Sequence, residues 1–259
     1  MEHRSIPDPR GPARRSVLAG LAGACALWST SPGRAEEALT VFAAASLKPA
    51  LDEIAAGWAA PVAISYAGSG ALARQVAQGA PADVILLAAE DWMDWLIERD
   101  ALAAPPVAVA GNELVLVGPP GAAPCDLSLG PMRDRLGADG RLAMGDPMSV
   151  PAGRYAQQSL ENLGLWDALA PRALFAENVR AALAYVARGD VPLGLVYASD
   201  AVGTGVSLLD RAAPDTHAPI VYPGAVLRGA APGAMDFVAH VARQGSIFRA
   251  HGFAPPPPS

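Results

Sequence analysis

The chain is poor in positive charge. Lys48 is its only lysine, and lysine and arginine together number 19 against 25 acidic residues, which gives a formal net charge of −6. Proteins that bind nucleic acid or anionic membranes through charge need clustered basic side chains. The composition therefore predicts that nucleic acid and anionic membrane surfaces are not partners of this protein.

Cysteine and histidine are almost as scarce. Cys25 and Cys125 are the only cysteines, and the four histidines are scattered singly along the chain. A structural zinc site needs four ligands brought together, and no such spacing occurs. If the chain is cleaved ahead of residue 36, Cys125 stands alone and no internal disulfide can form.

Long apolar runs are also missing, since no uncharged stretch reaches the length that crosses a bilayer. The longest run follows Arg14 and Arg15, consists mostly of small residues and ends at Ala35, which is the layout of a bacterial export signal. We predict that residues 1–35 are this signal and that the mature protein works in the periplasm. The arginine pair resembles a twin-arginine signal, while the general export route stays open. A lipid anchor at Cys25 is disfavoured, because no leucine stands three positions before it.

Beyond the signal, strand patterns alternate with helical ones. "LTVFAA" (39–44) and "ADVILLAA" (82–89) have the apolar runs of buried strands, while "ALARQVAQGA" (71–80) and "PAGRYAQQSLENLG" (151–164) have helical spacing. Alternation of this kind predicts an α/β architecture with doubly wound sheets flanked by helices.

The pattern divides the mature chain into two α/β units. Extended segments near residues 112 and 222 join them, so we predict two lobes with a cleft between. Residues 36–112 with 223–259 form the first lobe, and residues 113–222 form the second. The Pro/Gly-rich stretch "GPPGAAPCDLSLG" (118–130) is typical of a loop, and "APPPPS" (254–259) of a disordered tail.

Four predicted helices begin on small, uncharged residues. Ser46 follows the first strand, Ser69 stands between two glycines, Pro151 suits a first helical position, and Asn178 is a natural cap. Each start has an ordinary structural interpretation, and serine at a helix start is more often a cap than a ligand contact. Together they indicate an anion site made of helix N-termini, in which the N–H groups of Ala152 and Gly153 are also free.

Several motifs in order resemble the periplasmic molybdate-binding proteins of ABC importers. These are "TVFAAASL", "GSGALARQVAQGAPADV", "MGDPMSVPAGRYA" and "AENVRAALAYVARGDVPLGLVYASDA", which together span most of residues 39–253. The resemblance implies a two-lobed, type II periplasmic-binding-protein fold that closes on a tetrahedral oxyanion. It further implies a monomer that is not an enzyme, needs no cofactor and delivers molybdate or tungstate to the membrane permease of an ABC importer.

The resemblance also implies which residues touch the ligand. The molybdate would be held through its oxygens, with no direct protein ligand to the metal. The family's contacts fall on five positions of this chain: Ser46, Ser69, Ala152, Val179 and Tyr197. The serines contribute hydroxyl and backbone N–H groups, Ala152 and Val179 contribute N–H groups, and Tyr197 contributes its hydroxyl. The chain departs from the family at Gly68-Ser69-Gly70, where relatives often have a run of serines.

A site made only of neutral donors suits a fully deprotonated dianion. Helix N-termini each carry roughly half a positive charge without a charged side chain. Hydrogen phosphate brings a hydrogen that finds no acceptor there, which costs about 1–3 kcal/mol. Molybdate and tungstate are nearly the same size, so the sequence does not choose between them.

Three alternatives remain open at this point. Sulfate could be the ligand in place of molybdate, since it is also a tetrahedral dianion. A serine hydrolase could use Ser46 or Ser69, although the G-x-S-x-G pattern is absent and no histidine is evident nearby. Iron could be bound through tyrosine and carboxylate, although Tyr197 is expected to have no neighbouring tyrosine or histidine.

Overall fold

The computed structural model describes residues 38–257. The predicted export signal, its cleavage site and both arginines of the arginine pair lie outside the described residues. Within the described part, no helix is both long and apolar enough to cross a membrane.

The strands of the described chain fall into two five-stranded sheets. Their bounds are β1 Leu39–Ala44, β2 Val62–Ala67, β3 Val84–Leu86, β4 Val107–Gly111, β5 Leu114–Gly118, β6 Leu142–Gly145, β7 Ala173–Ala176, β8 Leu193–Tyr197, β9 Ser207–Arg211 and β10 Val221–Val226.

Helices flank both sheets. Their bounds are α1 Lys48–Ala56, α2 Ser69–Ala77, α3 Glu90–Ile97, α4 Leu129–Leu136, α5 Pro151–Asn162, α6 Trp166–Leu169, α7 Val179–Ala187, α8 Ala198–Ala201, α9 Ala234–Ala242 and α10 Gly245–Ala250. A short 3-10 turn, Ala45–Leu47, precedes α1.

The two sheets share one layout. The first has the order β2-β1-β3-β10-β4 and the second β7-β6-β8-β5-β9. In each, two strand pairings are parallel and two are antiparallel, because one strand, β10 in the first sheet and β5 in the second, runs opposite to the other four. The chain passes from the first sheet to the second between β4 and β5, and it returns between β9 and β10. The two-lobed periplasmic-binding-protein fold predicted from the sequence is confirmed.

The apolar patterns of the sequence correspond to the buried faces. Leu47, Leu51 and Ile54 recur at helical spacing and are buried in the hydrophobic core that also contains residues of β1 and β3. All residues of β3 are fully buried, as the unbroken apolar run of this strand predicts for a parallel sheet. Hydrophobic burial of this kind holds the strand ends, and therefore the loops that follow them, in fixed positions.

Several predicted boundaries are wrong. The strand predicted over 82–89 is only Val84–Leu86, because the backbone beyond it leaves the sheet and Ala88 N–H bonds to Ser69 Oγ instead. The helix predicted over 71–80 runs over Ser69–Ala77, since the Gly68 carbonyl accepts from the N–H groups of Ala71 and Leu72.

Two further corrections concern loops. The predicted loop over 118–130 gives way to α4 at Leu129, after Ser128 in extended conformation at its N-cap. The predicted tail begins too early, because Ala254 forms an antiparallel bridge with Gly111. Backbone pairing with a strand from elsewhere in the chain ties this residue down, and no local pattern signals it.

Candidate oxyanion site

The five predicted contact residues line one small cavity between the two sheets. Ser46, Ser69, Ala152, Val179 and Tyr197 all border it, and none is more than 4% exposed. They lie at or after the carboxyl ends of β1, β2, β6, β7 and β8, the edge where open α/β sheets bind ligands. The cavity has a volume of about 10 Å³, so it is closed to extended solutes.

Ser46 does not cap the helix that follows it. It lies inside the 3-10 turn, and no side chain caps either that turn or α1. Its hydroxyl oxygen lies 2.9 Å from the hydroxyl oxygen of Tyr222. The capping interpretation of Ser46 is thus wrong, and the serine side chain is free to face the cavity.

Ser69 is the first residue of α2, with Gly68 as the N-cap. Its hydroxyl oxygen accepts a hydrogen bond from Ala88 N–H at 3.0 Å. A hydroxyl that accepts in this way still has its own hydrogen to donate. In the first turn of α2, Gly70 N–H donates to Ser149 O and Ala71 N–H to Gly68 O. The Ser69 N–H is therefore the first-turn donor left for a ligand.

The starts of α5 and α7 leave similar donors. Pro151 has no N–H, and Gly153 N–H donates to Val150 O at 3.0 Å. The expectation that Gly153 N–H is free is wrong, and Ala152 supplies the first-turn donor of α5. Asn178 caps α7 as predicted, because its Oδ1 accepts from Ala181 N–H at 2.9 Å. Val179 N–H has no acceptor within its own helix.

Tyr197 ends β8 with its side chain buried at the cavity. Among residues 38–257, no group forms a hydrogen bond with its hydroxyl. A buried polar group without a partner costs about 1–3 kcal/mol, so such groups indicate a missing ligand or a strained site. Burial raises the pKa of Tyr197 well above its usual range, and the hydroxyl therefore remains a donor.

No residue that lines the cavity carries a charge. The nearest acid on the chain after Tyr197 is Asp200, which is fully buried. Desolvation by burial raises the pKa of Asp200 to about 7, against the lowering effect of Arg180, whose Nη1 lies 3.5 Å from Asp200 Oδ1. This acid therefore carries a proton over much of the acidic range, which limits its repulsion of an anion.

The raised pKa of Asp200 predicts a pH-dependent stability. The unfolded chain loses this proton near pH 4 and the folded chain near pH 7, so unfolding releases a proton between these values. The contribution of Asp200 to stability falls as pH rises from about 4 to about 7, by on the order of a few kcal/mol. Denaturant unfolding of wild type and Asp200→Asn across this range should show the wild type losing stability relative to the variant.

The exposed Asp94 on α3 offers a matched control. Asp94→Asn should follow the wild-type pH profile. A wild-type profile parallel to that of Asp200→Asn would contradict the raised pKa.

Contacts between the two sheet layers close the cavity. Gly70 N–H, from α2, donates to Ser149 O, just before α5, at 3.1 Å. Asp91 of α3 forms an ion pair with Arg154 of α5. A Cβ added at Gly68 would lie 2.7 Å from the carbonyl oxygen of Glu177, which precedes α7. Glycine at position 68 therefore permits a closer approach of the two layers than a side chain would.

Two residues near the site were missed from the sequence. Tyr222 lies 2.9 Å from Ser46 through its hydroxyl, and Asn112 donates to that hydroxyl at 3.1 Å. Tyr222 sits inside an apolar strand and Asn112 inside a short connection, where neither has a distinctive pattern. Only the antiparallel return of β10 beside β3 and β4 brings them behind Ser46.

The geometry of the site poorly matches two of the alternatives, a serine hydrolase and an iron site. Ser46 Oγ pairs with Tyr222 and Ser69 Oγ with Ala88 N–H, and neither serine bonds to a histidine within the described residues. For iron, the premise that Tyr197 lacks tyrosine neighbours is wrong, since the rings of Tyr222 and Tyr155 lie 5.9 and 6.4 Å from its own. No group of three histidine, cysteine or acidic residues within 38–257 is placed to hold a metal ion.

Two α/β layers that meet around a small cavity of neutral donors define a solute-binding protein. The chain belongs to the bacterial extracellular solute-binding protein family, whose sequence model matches residues 39–254.

Relatives within the family share most of the chain. It is 43% identical over 202 residues to the molybdate-binding protein ModA of Escherichia coli, which covers 75% of this chain and 79% of the relative. It is 40% identical over 200 residues to ModA of Haemophilus influenzae, covering 74% and 78%. The solved periplasmic molybdate-binding protein of Azotobacter vinelandii superposes with a TM-score of 0.73 at 25% identity, covering 85% of this chain and 100% of that one.

Proposed function

We propose that this protein captures molybdate, and tungstate as well, in the cavity between its two sheets and delivers the anion to the membrane permease of an ABC importer. The observation that carries the proposal is the convergence of five neutral donor positions on one buried cavity. The unpartnered hydroxyl of Tyr197 supports it further, because a bound oxyanion would supply the missing acceptor. The relatives in Escherichia coli and Haemophilus influenzae are named for molybdate binding.

The proposal also covers the oligomeric state, the export and the closure of the protein, which family membership alone does not give. The protein acts as a monomeric periplasmic binding protein, exported by residues 1–35, without a cofactor, catalytic activity or nucleic-acid partner. Residues 36–112 with 223–259 form one lobe and 113–222 the other, and the lobes close on the anion by a hinge motion. Ser46 and Ser69 then bind from the first lobe, and Ala152, Val179 and Tyr197 from the second.

The ligand choice follows from the donors and the size of the cavity. All groups offered to the anion are donors, so an oxyanion that keeps a hydrogen leaves that hydrogen unpaired, at about 1–3 kcal/mol. Sulfate meets the donor requirement but is smaller than molybdate, so it fills a cavity of fixed size less well. We therefore expect the order of affinity to be molybdate and tungstate first, sulfate next and phosphate last.

A ligand panel tests this order. The mature chain is titrated with molybdate, tungstate, sulfate and phosphate, with tryptophan fluorescence as the readout. Trp92 is the useful reporter, because the guanidinium of Arg154 lies 6.0 Å from its ring across the closing contact. Saturation by molybdate and tungstate at lower concentrations than by sulfate supports the proposal. Preference for sulfate would change the ligand, and turnover of ester substrates would replace the proposal with a hydrolase.

Ser46→Ala tests the contribution of one donor. The variant removes a hydrogen bond to a charged ligand, worth about 1.5–3 kcal/mol, so affinity for molybdate should fall about tenfold to a hundredfold. It also removes the bond to Tyr222, so the melting temperature of the unliganded protein should fall slightly. Calorimetric titration and thermal melting measure the two effects.

Ser159→Ala is the matched control for this change. Ser159 is buried and its hydroxyl bonds to Thr216 Oγ1 at 2.9 Å, away from the cavity. The control should lose stability and keep its affinity. Equal affinity in Ser46→Ala and wild type would remove Ser46 from the site.

A further inference from the structure

A chain of hydrogen-bonded side chains lies behind Ser46. Asn112 Nδ2 donates to Tyr222 Oη at 3.1 Å, and Tyr222 Oη lies 2.9 Å from Ser46 Oγ. All three side chains are buried. Asn112 stands between β4 and β5, where the chain first passes from one sheet to the other, and Tyr222 is in β10. These hydrogen-bonded side chains therefore connect the cavity to the segment that joins the two sheets.

The surroundings of Asn112 determine which of its amide atoms faces Tyr222. Its Oδ1 accepts from Glu113 N–H at 2.9 Å and from Ser199 N–H at 3.4 Å. The Nδ2 atom donates to Ser199 Oγ at 2.8 Å as well as to Tyr222. Reversing the amide would set its nitrogen against the two N–H donors, Glu113 and Ser199, so the orientation is fixed.

The orientation of Asn112 sets the direction of the next bond. An amide nitrogen can only donate, so Tyr222 Oη accepts from Asn112 and has its own hydrogen left to give. Burial raises the pKa of Tyr222 well above its usual range, so that hydrogen stays in place. Ser46 Oγ is the acceptor within reach. Ser46 then receives a hydrogen bond from behind, and its own hydrogen is free to point into the cavity.

We propose that Asn112 and Tyr222 are positioning residues that hold Ser46 as a hydrogen-bond donor to the bound anion. The inference rests on the proposed function, because it concerns how that site rejects oxyanions that carry a hydrogen. With Tyr222 donating to it from behind, Ser46 turns its own hydrogen toward the cavity, so it meets the hydrogen of hydrogen phosphate as a donor. Without Tyr222, the serine hydroxyl can rotate and accept that hydrogen.

Because Ser69 does not depend on Tyr222, the effect of a change at Tyr222 on the anion can be assigned to Ser46. The hydroxyl oxygen of Ser69 is occupied by Ala88 N–H, a backbone group independent of Asn112 and Tyr222. A change at Tyr222 therefore alters the donor state of Ser46 alone. In a protein that already lacks the Ser46 hydroxyl, the same change should have no further effect on anion selectivity.

Tyr222→Phe tests the proposal through the ratio of two affinities. The dissociation constant for molybdate is measured by calorimetry, and that for inorganic phosphate by its displacement of molybdate. The variant should bind molybdate less tightly and phosphate no less tightly than wild type. The selectivity ratio, which is the dissociation constant for phosphate divided by that for molybdate, should therefore fall about tenfold. In the Ser46→Ala background, Tyr222→Phe should leave the ratio unchanged. Equal weakening of both anions, or the same loss in both backgrounds, would overturn the proposal.

Two further variants complete the design. Tyr66→Phe removes a tyrosine hydroxyl that bonds to Asp52 at 2.6 Å, outside the cavity, and should keep the wild-type ratio. Asn112→Asp replaces the donor to Tyr222 by an acceptor, which should reverse the direction of the hydrogen bonds from residue 112 through Tyr222 to Ser46. The selectivity ratio should therefore fall in this variant even where Tyr222→Phe folds poorly. An unchanged ratio in Asn112→Asp would also contradict the inference. The titration of wild type with the ligand panel tests the proposed function separately. If sulfate proves to be the ligand, the dissociation constant for sulfate replaces that for molybdate in the ratio.

Discussion

Gly68→Val should lower the affinity for molybdate on the order of a hundredfold while the unliganded protein stays folded. A Cβ at this position would lie 2.7 Å from Glu177 O and 3.5 Å from the side chain of Val150. Both neighbours belong to the other side of the cavity. Because Gly68 has φ −66° and ψ 140°, valine fits the local backbone without strain. The steric clash therefore destabilises only the closed form, in which the two sides of the cavity meet.

Small-angle scattering with and without molybdate measures the closure directly. Wild type should become more compact on binding, and Gly68→Val should need far more molybdate to do so. Gly130→Val is the matched control, since a Cβ at Gly130 meets nothing within 4 Å. Wild-type affinity and compaction in Gly68→Val would show that the two layers do not need to meet at Gly68.

Tyr197→Phe should separate affinity from stability. The Tyr197 hydroxyl is buried and forms no hydrogen bond within the described part of the chain. Its removal should therefore leave the melting temperature of the unliganded protein unchanged or higher. The same change removes a donor to a charged ligand, so affinity for molybdate should fall about tenfold to a hundredfold. Most binding-site substitutions do not combine a neutral or favourable stability change with a large loss of affinity.

Tyr155→Phe is the neighbouring control for this variant. Its ring lies 6.4 Å from that of Tyr197, and its side chain is buried without lining the cavity. The control should bind molybdate as wild type does. A lower melting temperature with unchanged affinity in Tyr197→Phe would mean that the hydroxyl serves the fold and not the ligand.

The sequence predicted the parts of the fold that depend on local pattern. The helical spacing of Leu47, Leu51 and Ile54 corresponds to the buried face of α1, and Asn178 caps α7 as its residue type suggests. The start of α5 at Pro151 also follows from the fixed φ of proline. These features are set by residues within one or two helical turns of each other.

The features that escaped prediction depend on residues far apart in the chain. The residue type of Ser46 suggests a cap, but its hydroxyl bonds to Tyr222, which is 176 positions away. The early end of β3 is accompanied by a hydrogen bond from Ala88 N–H to Ser69 Oγ, which joins residues 19 positions apart. The tyrosines around Tyr197 come from helix α5 and from β10, a strand of the other sheet. Such contacts have no local signature, because burial and register decide them together.

The most direct measurement is the position of bound molybdenum in a crystal of the mature protein grown with molybdate. Anomalous diffraction at the molybdenum absorption edge locates the metal independently of any assumed site. We expect one dominant peak in the cavity bordered by Ser46, Ser69, Ala152, Val179 and Tyr197, with the anion's oxygens within hydrogen-bonding distance of these residues. A dominant peak outside this cavity, or an anion held by charged side chains, would contradict this expectation.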